Sequence, residues 1–520
     1  VLGVLPLFFK KIIEILNFFR KLSKFPKPKA FQYNIVVIGA GSAGLVSSYL
    51  AAALKAKVAL IEANKMGGDC LNTGCVPSKT IIKRAKIVNY LKNSHKWGLS
   101  FKEKGVIDKE KTFQRVLHQV NEAISTIEPH DSKERYQSLG VDVFFGKAEL
   151  KSPFEVVVKR SENKEKEITL TTKNIIIASG AAPFVPEVEG IKDVPYFTSD
   201  TVWSIKQLPK KFLVVGGGPI GCELAQTFSR LGSEVTIVTR GAQLIPREDK
   251  DAADVLEKVF KEEGIEVLTS CELKGFKKEE EKYIALCKLK DKEKVLEISF
   301  SAVLIALGRR ANIAGLGLEN VGVEVSPRGT IAVDEYLRTS VPNIYACGDV
   351  AGPYQFTHFG AYQAWFAVSN ALFSPLKQGK PNYSVIPWCT YTDPQVARVG
   401  YSEKELKEQG IKYEVAKYPL NELDRAITEG ETEGFVKVVT KEGSPKILGV
   451  TIVAAEAGEM LSEFSLAMTK KLTLRSILST VHPYPTWSEA NKYAAGVWQK
   501  AHTPSWALKL LEKFNKWRLS

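Results

Sequence analysis

Cysteine is sparse in this 520-residue chain, and its sparseness excludes two classes of protein. Seven cysteines, an odd number, do not make the disulfide framework of a small secreted fold. Five of them, Cys222, Cys271, Cys287, Cys347 and Cys389, stand singly, mostly in apolar runs, and read as core residues. No second Cys or His pair follows at short spacing, so a zinc ribbon is excluded and no metal site is expected. Long apolar runs are also missing. The longest uncharged stretch of the N-terminal tail, residues 1–9, is too short to span a bilayer. No basic region precedes it and no small-residue cleavage site follows, so a secretory signal is not expected. A reducing, cytoplasmic setting follows, where a disulfide is more often catalytic than structural.

Charge of one sign is missing from the body. Residues 1–30 hold seven basic side chains and Glu14, and residues 500–520 hold five and Glu512. The tails therefore carry +10 of the net +14. The nearly balanced remainder argues against nucleic acid as a partner. With 44% hydrophobic and 25% charged residues, the length suits two to four domains with full cores.

The tails share a design. Leu5, Phe8, Phe9, Ile12, Ile13, Ile15, Leu16 and Phe19 recur at helical spacing among Lys10, Glu14, Asn17, Lys21 and Lys24. Pro26 and Pro28 then form a short stiff linker with lysines between. After Pro504, Trp506, Ala507, Leu510, Leu511, Phe514 and Trp517 form one stripe; Lys509, Glu512, Lys513 and Lys516 form the other. Basic, aromatic-rich amphipathic helices suit an anionic membrane surface, peripherally at the cytoplasmic face. A helix docked on its own domain or on a partner subunit fits the same pattern.

What is present is a pair of cysteines five apart, in Gly67-Gly68-Asp69-Cys70-Leu71-Asn72-Thr73-Gly74-Cys75-Val76-Pro77-Ser78-Lys79. A helical pattern follows from Lys79 to Leu91. Upstream, strand Asn34–Ile38 leads into Gly39-Ala40-Gly41-Ser42-Ala43-Gly44, an Ala-rich helix, and strand Val58–Ile61 ending on Glu62. Such glycines let the backbone turn tightly and approach a pyrophosphate at a helix N-terminus, and Glu62 is placed for a ribose. The pattern recurs: strand Phe212–Val215, loop Gly216-Gly217-Gly218-Pro219-Ile220-Gly221, helix, strand Val235–Val238. Here the acid is absent. Thr239 stands in its place, followed by Arg240 and, further on, Arg247, which leans toward NADPH over NADH while leaving a site for either open. Two dinucleotide folds beside a dithiol read as flavin plus nicotinamide.

These segments resemble the pyridine nucleotide–disulfide oxidoreductases of the FAD-dependent class I, in their mercuric reductase-like and dihydrolipoamide dehydrogenase-like branch. The resemblance covers about residues 31–500. It rests on the two glycine loops, on Gly67–Lys79, Ala178-Ser179-Gly180, Glu223, Ala306-Leu307-Gly308-Arg309, Ile344-Tyr345-Ala346-Cys347-Gly348-Asp349 and Thr392-Asp393-Pro394. His130-Asp131-Ser132 and Arg247-Glu248-Asp249 point to the mercuric reductase-like side. The resemblance implies an α/β fold: two Rossmann-like domains for FAD and NAD(P), an α+β C-terminal dimerisation domain, and amphipathic helices at both termini. The expected division is 1–30 helix and linker, 31–185 and 313–380 FAD-binding, 186–312 NAD(P)-binding, 381–500 interface, and 501–520 helix.

It also implies roles. Cys75 would face the flavin as a thiolate, favoured by the helix N-terminus behind it, and Cys70 would exchange with substrate. Lys79 and Glu223 match an ion pair by the flavin. Gly39, Gly41, Gly44, Glu62, Gly68, Gly146, Ala148, Ser179, Gly180, Gly348 and Asp349 would bind FAD. Gly216, Gly218, Gly221, Arg240, Arg247 and Gly308 would bind NADPH, or NADH. The family's homodimer would bring Tyr484 and Glu489 to the partner's site. Thiol reductases of the family read His-Pro-Thr-x-x-Glu; this chain reads His482-Pro483-Tyr484-Pro485-Thr486-Trp487-Ser488-Glu489, which puts Tyr484 at the His position and His482 two residues earlier. Tyrosine, with its ordinary pKa near ~10, is a poor base at neutral pH. No cysteine follows Cys389, so the C-terminal pair that delivers Hg(II) in mercuric reductases is absent. The expected function is an FAD-dependent NAD(P)H oxidoreductase reducing an unidentified acceptor, a disulfide, metal ion or other, through Cys70–Cys75. The alternatives are a membrane-surface NAD(P)H:quinone-type dehydrogenase and a non-catalytic flavin-binding subunit or redox sensor.

Overall fold

The computed structural model describes residues 22–99, 107–159, 167–280, 282–290 and 295–519. The N-terminal amphipathic helix lies, as far as residue 21, outside them. Its linker is described, and it is not a free spacer. Leu22 is buried in the first domain's core, and Phe25 and Phe31 pack against the same cluster. The Phe31 ring sits 5.8 Å from Phe154, with the Lys27 ammonium over that second ring. The apolar side chains between the lysines fasten the segment.

Among the described residues, the first sheet has seven strands. Val141–Phe145, Val58–Glu62, Tyr33–Ile38 and Ile168–Ile177 run parallel in that order, and Ile344–Ala346 pairs in parallel with Ile168–Ile177. Glu155–Lys159 and Lys147–Ser152 extend the sheet antiparallel. The central strand Tyr-Asn-Ile-Val-Val-Ile is buried almost throughout, as a parallel strand covered on both faces must be. The chain leaves this sheet after Ile177, builds a second, and returns at Ile344.

The second sheet orders Glu266–Leu268, Glu234–Val238, Lys211–Val215, Ala302–Ile305 and Tyr196–Phe197, all parallel. The two glycine loops repeat one piece of mechanics. Gly39 has φ +102° and Gly216 φ +122°. A Cβ on Gly44 would lie 1.7 Å from the Gly39 carbonyl oxygen, and one on Gly221 2.0 Å from that of Gly216. Only glycine lets each helix approach its loop so closely.

After a three-stranded antiparallel sheet of Cys271–Glu279, Lys282–Leu289 and Val295–Phe300, the C-terminal unit holds a five-stranded antiparallel sheet in the order Pro387–Thr390, Gln395–Gly400, Ile447–Ala454, Phe435–Lys441, Tyr413–Pro419. Helices Ala457–Thr469 and Glu489–Ala501 bury Met460, Leu461, Phe464, Ala494 and Trp498 in its core. Buried charge joins this unit to the second sheet's domain. Lys437, 1% exposed, meets Asp249, Asp251 and Glu403 at 2.7–2.9 Å, and Arg398, also 1% exposed, meets Glu248 and Glu405. A last helix, Ser505–Leu519, follows, and none of its residues is buried.

Candidate active site

The redox segment is built by its glycines. Gly67 takes φ +85° and opens the short helix Gly68–Asn72, which carries Cys70. A Cβ on Gly68 would lie 2.5 Å from the Cα of Gly41, so the redox loop rests directly on the first glycine loop. Trp203, from the second domain's side, donates its indole N–H to the Thr73 carbonyl at 2.8 Å and steadies the turn between the cysteines. The following helix runs Cys75–Lys92, four residues earlier than the periodicity implied, so Cys75 is its first residue. Its sulfur therefore sits where free N–H groups and the helix dipole favour negative charge.

The two cysteines are free thiols in hydrogen-bond contact, and both are partly exposed. They are polarised in opposite senses. The Cys75 thiol is lowered to about 6, first by the hydrogen bond from Cys70, then against burial by the Thr357 hydroxyl and the Lys79 ammonium. Cys70 is pushed well above its ordinary value, chiefly because it donates to Cys75 and is partly buried. The Thr357 hydroxyl lies 3.3 Å from the Cys75 sulfur, and Ser42 anchors the Thr357 carbonyl at 2.9 Å.

Behind Cys75 in the same helix, the Lys79 ammonium meets the Glu223 carboxylate at 2.8 Å. Burial pulls Lys79 down, but Glu223 more than offsets it and holds the ammonium above its usual range. The other Glu223 oxygen accepts the Tyr391 backbone N–H at 2.8 Å, and Lys79 lies over the Tyr391 ring. Three parts of the chain thus converge on one ion pair. Nearby, Arg309 bridges Asp69 and Asp200. Asp349 is pushed up to about 6, mainly by burial, with Arg309 opposing.

The other expected cofactor residues fall into groups. The Glu62 carboxylate caps its own loop, accepting from the Ala40 and Asn64 N–H groups at 2.7 Å each, and burial raises its pKa. Gly146 donates to the Glu62 carbonyl at 2.8 Å. Ala148 is buried, its methyl in the first domain's core. Ser179 and Asn312 exchange hydrogen bonds beside Gly180. The Gly348 N–H donates to the Gln363 amide oxygen at 2.8 Å. Gly218 and Gly308 leave open space where a Cβ would stand. Arg240 and Arg247 are exposed, and Thr239 is buried against Gly217 of the second loop. The first glycine loop opens the helix Ser42–Ala53, whose N-terminus carries no side-chain cap and so offers its first-turn N–H groups to a pyrophosphate. The residues present therefore fit FAD there and NAD(P) at the second loop.

Tyr484, His482 and Glu489 keep to the C-terminal domain. Tyr484 is 70% exposed and donates its hydroxyl to Asp424 at 2.9 Å, a carboxylate that raises its pKa. Glu489 does not orient it. Glu489 accepts from the Thr486 N–H and the Tyr493 hydroxyl instead. The His482 side chain is largely buried, with Nε2 3.0 Å from Glu463 and Nδ1 3.0 Å from the Thr480 carbonyl. Both of its nitrogens are engaged. Sequence reasoning missed Asp424, Thr357 and Asp69. Their partners lie 60 and 282 residues away for the first two, and no spacing rule reaches that far.

Residues 33–367 match the pyridine nucleotide-disulphide oxidoreductase family, and residues 386–495 match its dimerisation domain. The mercuric reductase of Bacillus cereus is 34% identical over 472 residues, 90% of this chain and 72% of that one. The dihydrolipoyl dehydrogenase of Buchnera aphidicola is 35% identical over 478 residues, 91% of this chain and 97% of that one. Among solved structures, the HOCl-induced flavoprotein disulfide reductase RclA from Escherichia coli, as its Cu(II) complex, superposes with TM-score 0.78 at 26% identity, covering 90% of this chain and 100% of that one. Among the described residues no helix is long and apolar enough to cross a membrane. The chain belongs to the pyridine nucleotide–disulphide oxidoreductases: it is a flavoprotein with a dimerisation domain that passes electrons from NAD(P)H through FAD to a redox-active disulfide and on to an acceptor.

Proposed function

We propose that the redox-active disulfide is Cys70–Cys75, that NADPH is the donor, and that the homodimer works at the cytoplasmic face of a membrane. The observation that carries the first part is the opposed polarisation of the two thiols above the Lys79–Glu223 pair. The Gly39–Gly44 loop with Glu62, Gly68, Gly146, Ala148, Ser179, Gly180, Gly348 and Asp349 would hold FAD, which when bound would supply the hydride relay. The chain's own part can be balanced. One hydride equivalent breaks the S–S bond and leaves one thiol and one thiolate. The proton rests on Cys70 and the charge on Cys75, where the helix terminus, Thr357 and Lys79 stabilise it. With a disulfide acceptor, Cys70 passes its proton to Cys75 along the hydrogen bond they share and attacks one acceptor sulfur, breaking the acceptor's S–S bond and expelling a first thiolate. Cys75 gives its proton to that thiolate and attacks the Cys70 sulfur, re-forming the Cys70–Cys75 bond and releasing the second acceptor sulfur as thiolate. No histidine base is needed from His482, whose nitrogens are engaged. Tyr484, acting across the dimer with Asp424 behind it, offers a neutral phenol to the acceptor pocket.

Gly216, Gly218, Gly221 and Gly308 would hold the nicotinamide dinucleotide. Thr239 with Arg240 and Arg247 favours a 2′-phosphate. Residues 390–520 hold no cysteine that could pass a thiophilic metal to the dithiol, which favours a disulfide acceptor. A second reading is favoured by the exposed C-terminal helix: reduction of a lipid-soluble quinone at the membrane surface. Anaerobic addition of one equivalent of NADPH, followed by alkylation and peptide mapping, tests the core. Label should appear on Cys70 and Cys75; label elsewhere, or none, refutes it. Quinone reduction that survives Cys70→Ser would move the acceptor step away from the dithiol.

A further inference from the structure

The helix Ser505–Leu519 stands out from the body. None of its residues is buried, and Trp506, Leu510, Leu511 and Phe514 are 68, 60, 54 and 48% exposed. At about 100° per residue, Trp506, Ala507, Leu510, Leu511, Phe514 and Trp517 fall within an arc of roughly 140°. Lys509 and Lys516 fall on the opposite side, with Glu512 paired to Lys516 at 2.7 Å, while Lys513 flanks the stripe beside Trp506 and Arg518 falls within the arc near the helix end. Leu508 and Leu519 lie off the stripe. The helix carries four cations, with Arg518, against one carboxylate.

Resting on the peripheral-membrane reading above, we propose that this helix is the docking element, lying in the plane of an anionic lipid surface. Its charge selects the occupant. A second copy packed stripe to stripe would turn Lys509 and Lys516 outward, un-neutralised, and bring Lys513 and Arg518 of both copies to the contact as like charges; residues 1–30 carry a net +6, so docking of the N-terminal segment also brings like charge to like charge. An anionic bilayer accepts the apolar stripe and neutralises the lysines together. Trp506 and Trp517, roughly 16 Å apart along the axis, are exposed indoles with one polar edge, suited to the headgroup level. The attachment is stiff. The preceding helix Glu489–Ala501 is packed into the interface domain, Trp498 stacks on His502 at 4.0 Å, and His502 meets Glu414 at 2.9 Å. A docked helix would therefore fix the orientation of the interface domain relative to the lipid.

The experiment uses the FAD-loaded full chain with vesicles of phosphatidylcholine alone or with about one-third phosphatidylglycerol. Co-sedimentation is compared for the unaltered chain, for Leu510→Asp with Phe514→Asp, and for Lys509→Glu with Lys513→Glu and Lys516→Glu. Binding to the anionic vesicles should fall at least tenfold in both variants, and the unaltered chain should bind the neutral vesicles at least tenfold less. NADPH oxidation with a soluble aromatic disulfide should be unchanged in both, which shows they are folded. Variants that bind as well as the unaltered chain overturn the assignment to this helix and leave the peripheral reading standing on another segment. Failure of the unaltered chain to bind either vesicle sinks both. A change in oligomeric state without a change in lipid binding means a second copy is the occupant, which also overturns it.

Discussion

The hydrogen bond between the two thiols is the largest cause holding the Cys75 thiol down near 6, and it can be removed without touching the helix terminus, Thr357 or Lys79. Cys70→Ala deletes the donor. A hydrogen bond to a charged acceptor contributes about 1.5–3 kcal/mol. At about 1.4 kcal/mol per pH unit, its loss should raise the Cys75 midpoint by about one to two units, to between about 7 and 8. Cys70→Ser keeps an O–H donor in place and should leave the midpoint near 6. The sign is set by which form is favoured. The bond stabilises the thiolate, so the thiolate fraction falls as pH falls through about 6 in the wild-type dithiol and already through about 7 to 8 in the alanine variant. The assay is the pH dependence of iodoacetamide alkylation at Cys75 in the reduced enzyme, followed by mass spectrometry and by thiolate absorbance. A midpoint that stays near 6 in Cys70→Ala refutes the reasoning, because the depression would then come from the helix terminus and Lys79 alone.

Other outcomes follow from the same structure. Lys437→Met leaves Asp249 buried without its cation, and breaking such a pair costs about 3–5 kcal/mol; calorimetry should show a large drop in Tm. Gly44→Ala pushes a methyl into the Gly39 carbonyl 1.7 Å away, so the purified protein should lose most of its bound FAD and its yellow colour. Arg240→Ala combined with Arg247→Ala should raise KM for NADPH by about tenfold or more and leave KM for NADH nearly unchanged, since roughly 1.4 kcal/mol per contact is at stake. Asp424→Asn should alter turnover with bulky disulfides as Tyr484→Phe does, and the double variant should be no worse than either alone.

The sequence made some features legible because their physics is local. Each glycine loop is forced by a close approach within six residues, Gly39 to Gly44 and Gly216 to Gly221, so pattern and geometry agree. The Cys70–Cys75 spacing is equally local. The Tyr484 and His482 alternatives stayed open in the sequence because they depend on who bonds to whom. His482 is spent on Glu463, and Tyr484 is held by Asp424. The Pro/Lys linker misled in the same way. Its lysines and prolines read as a short stiff linker, whereas Leu22, Phe25 and Phe31 find a core that only the folded first sheet provides. The helical period begins only at Lys79 because Val76 and Pro77 blur it, although proline is at home in the first turn of a helix that starts at Cys75.

The return of Ile344–Ala346 to the first sheet has a consequence for biosynthesis. That strand leaves the ribosome long after its neighbour Ile168–Ile177, and at about 5–20 residues per second the delay is roughly ten to thirty seconds. During that interval one edge of Ile175, Ile176 and Ile177 waits with its peptide groups unpaired, while the intervening unit can collapse by itself. A nascent chain stalled between the two strands should be sticky and protease-sensitive in its first part and already compact in its second.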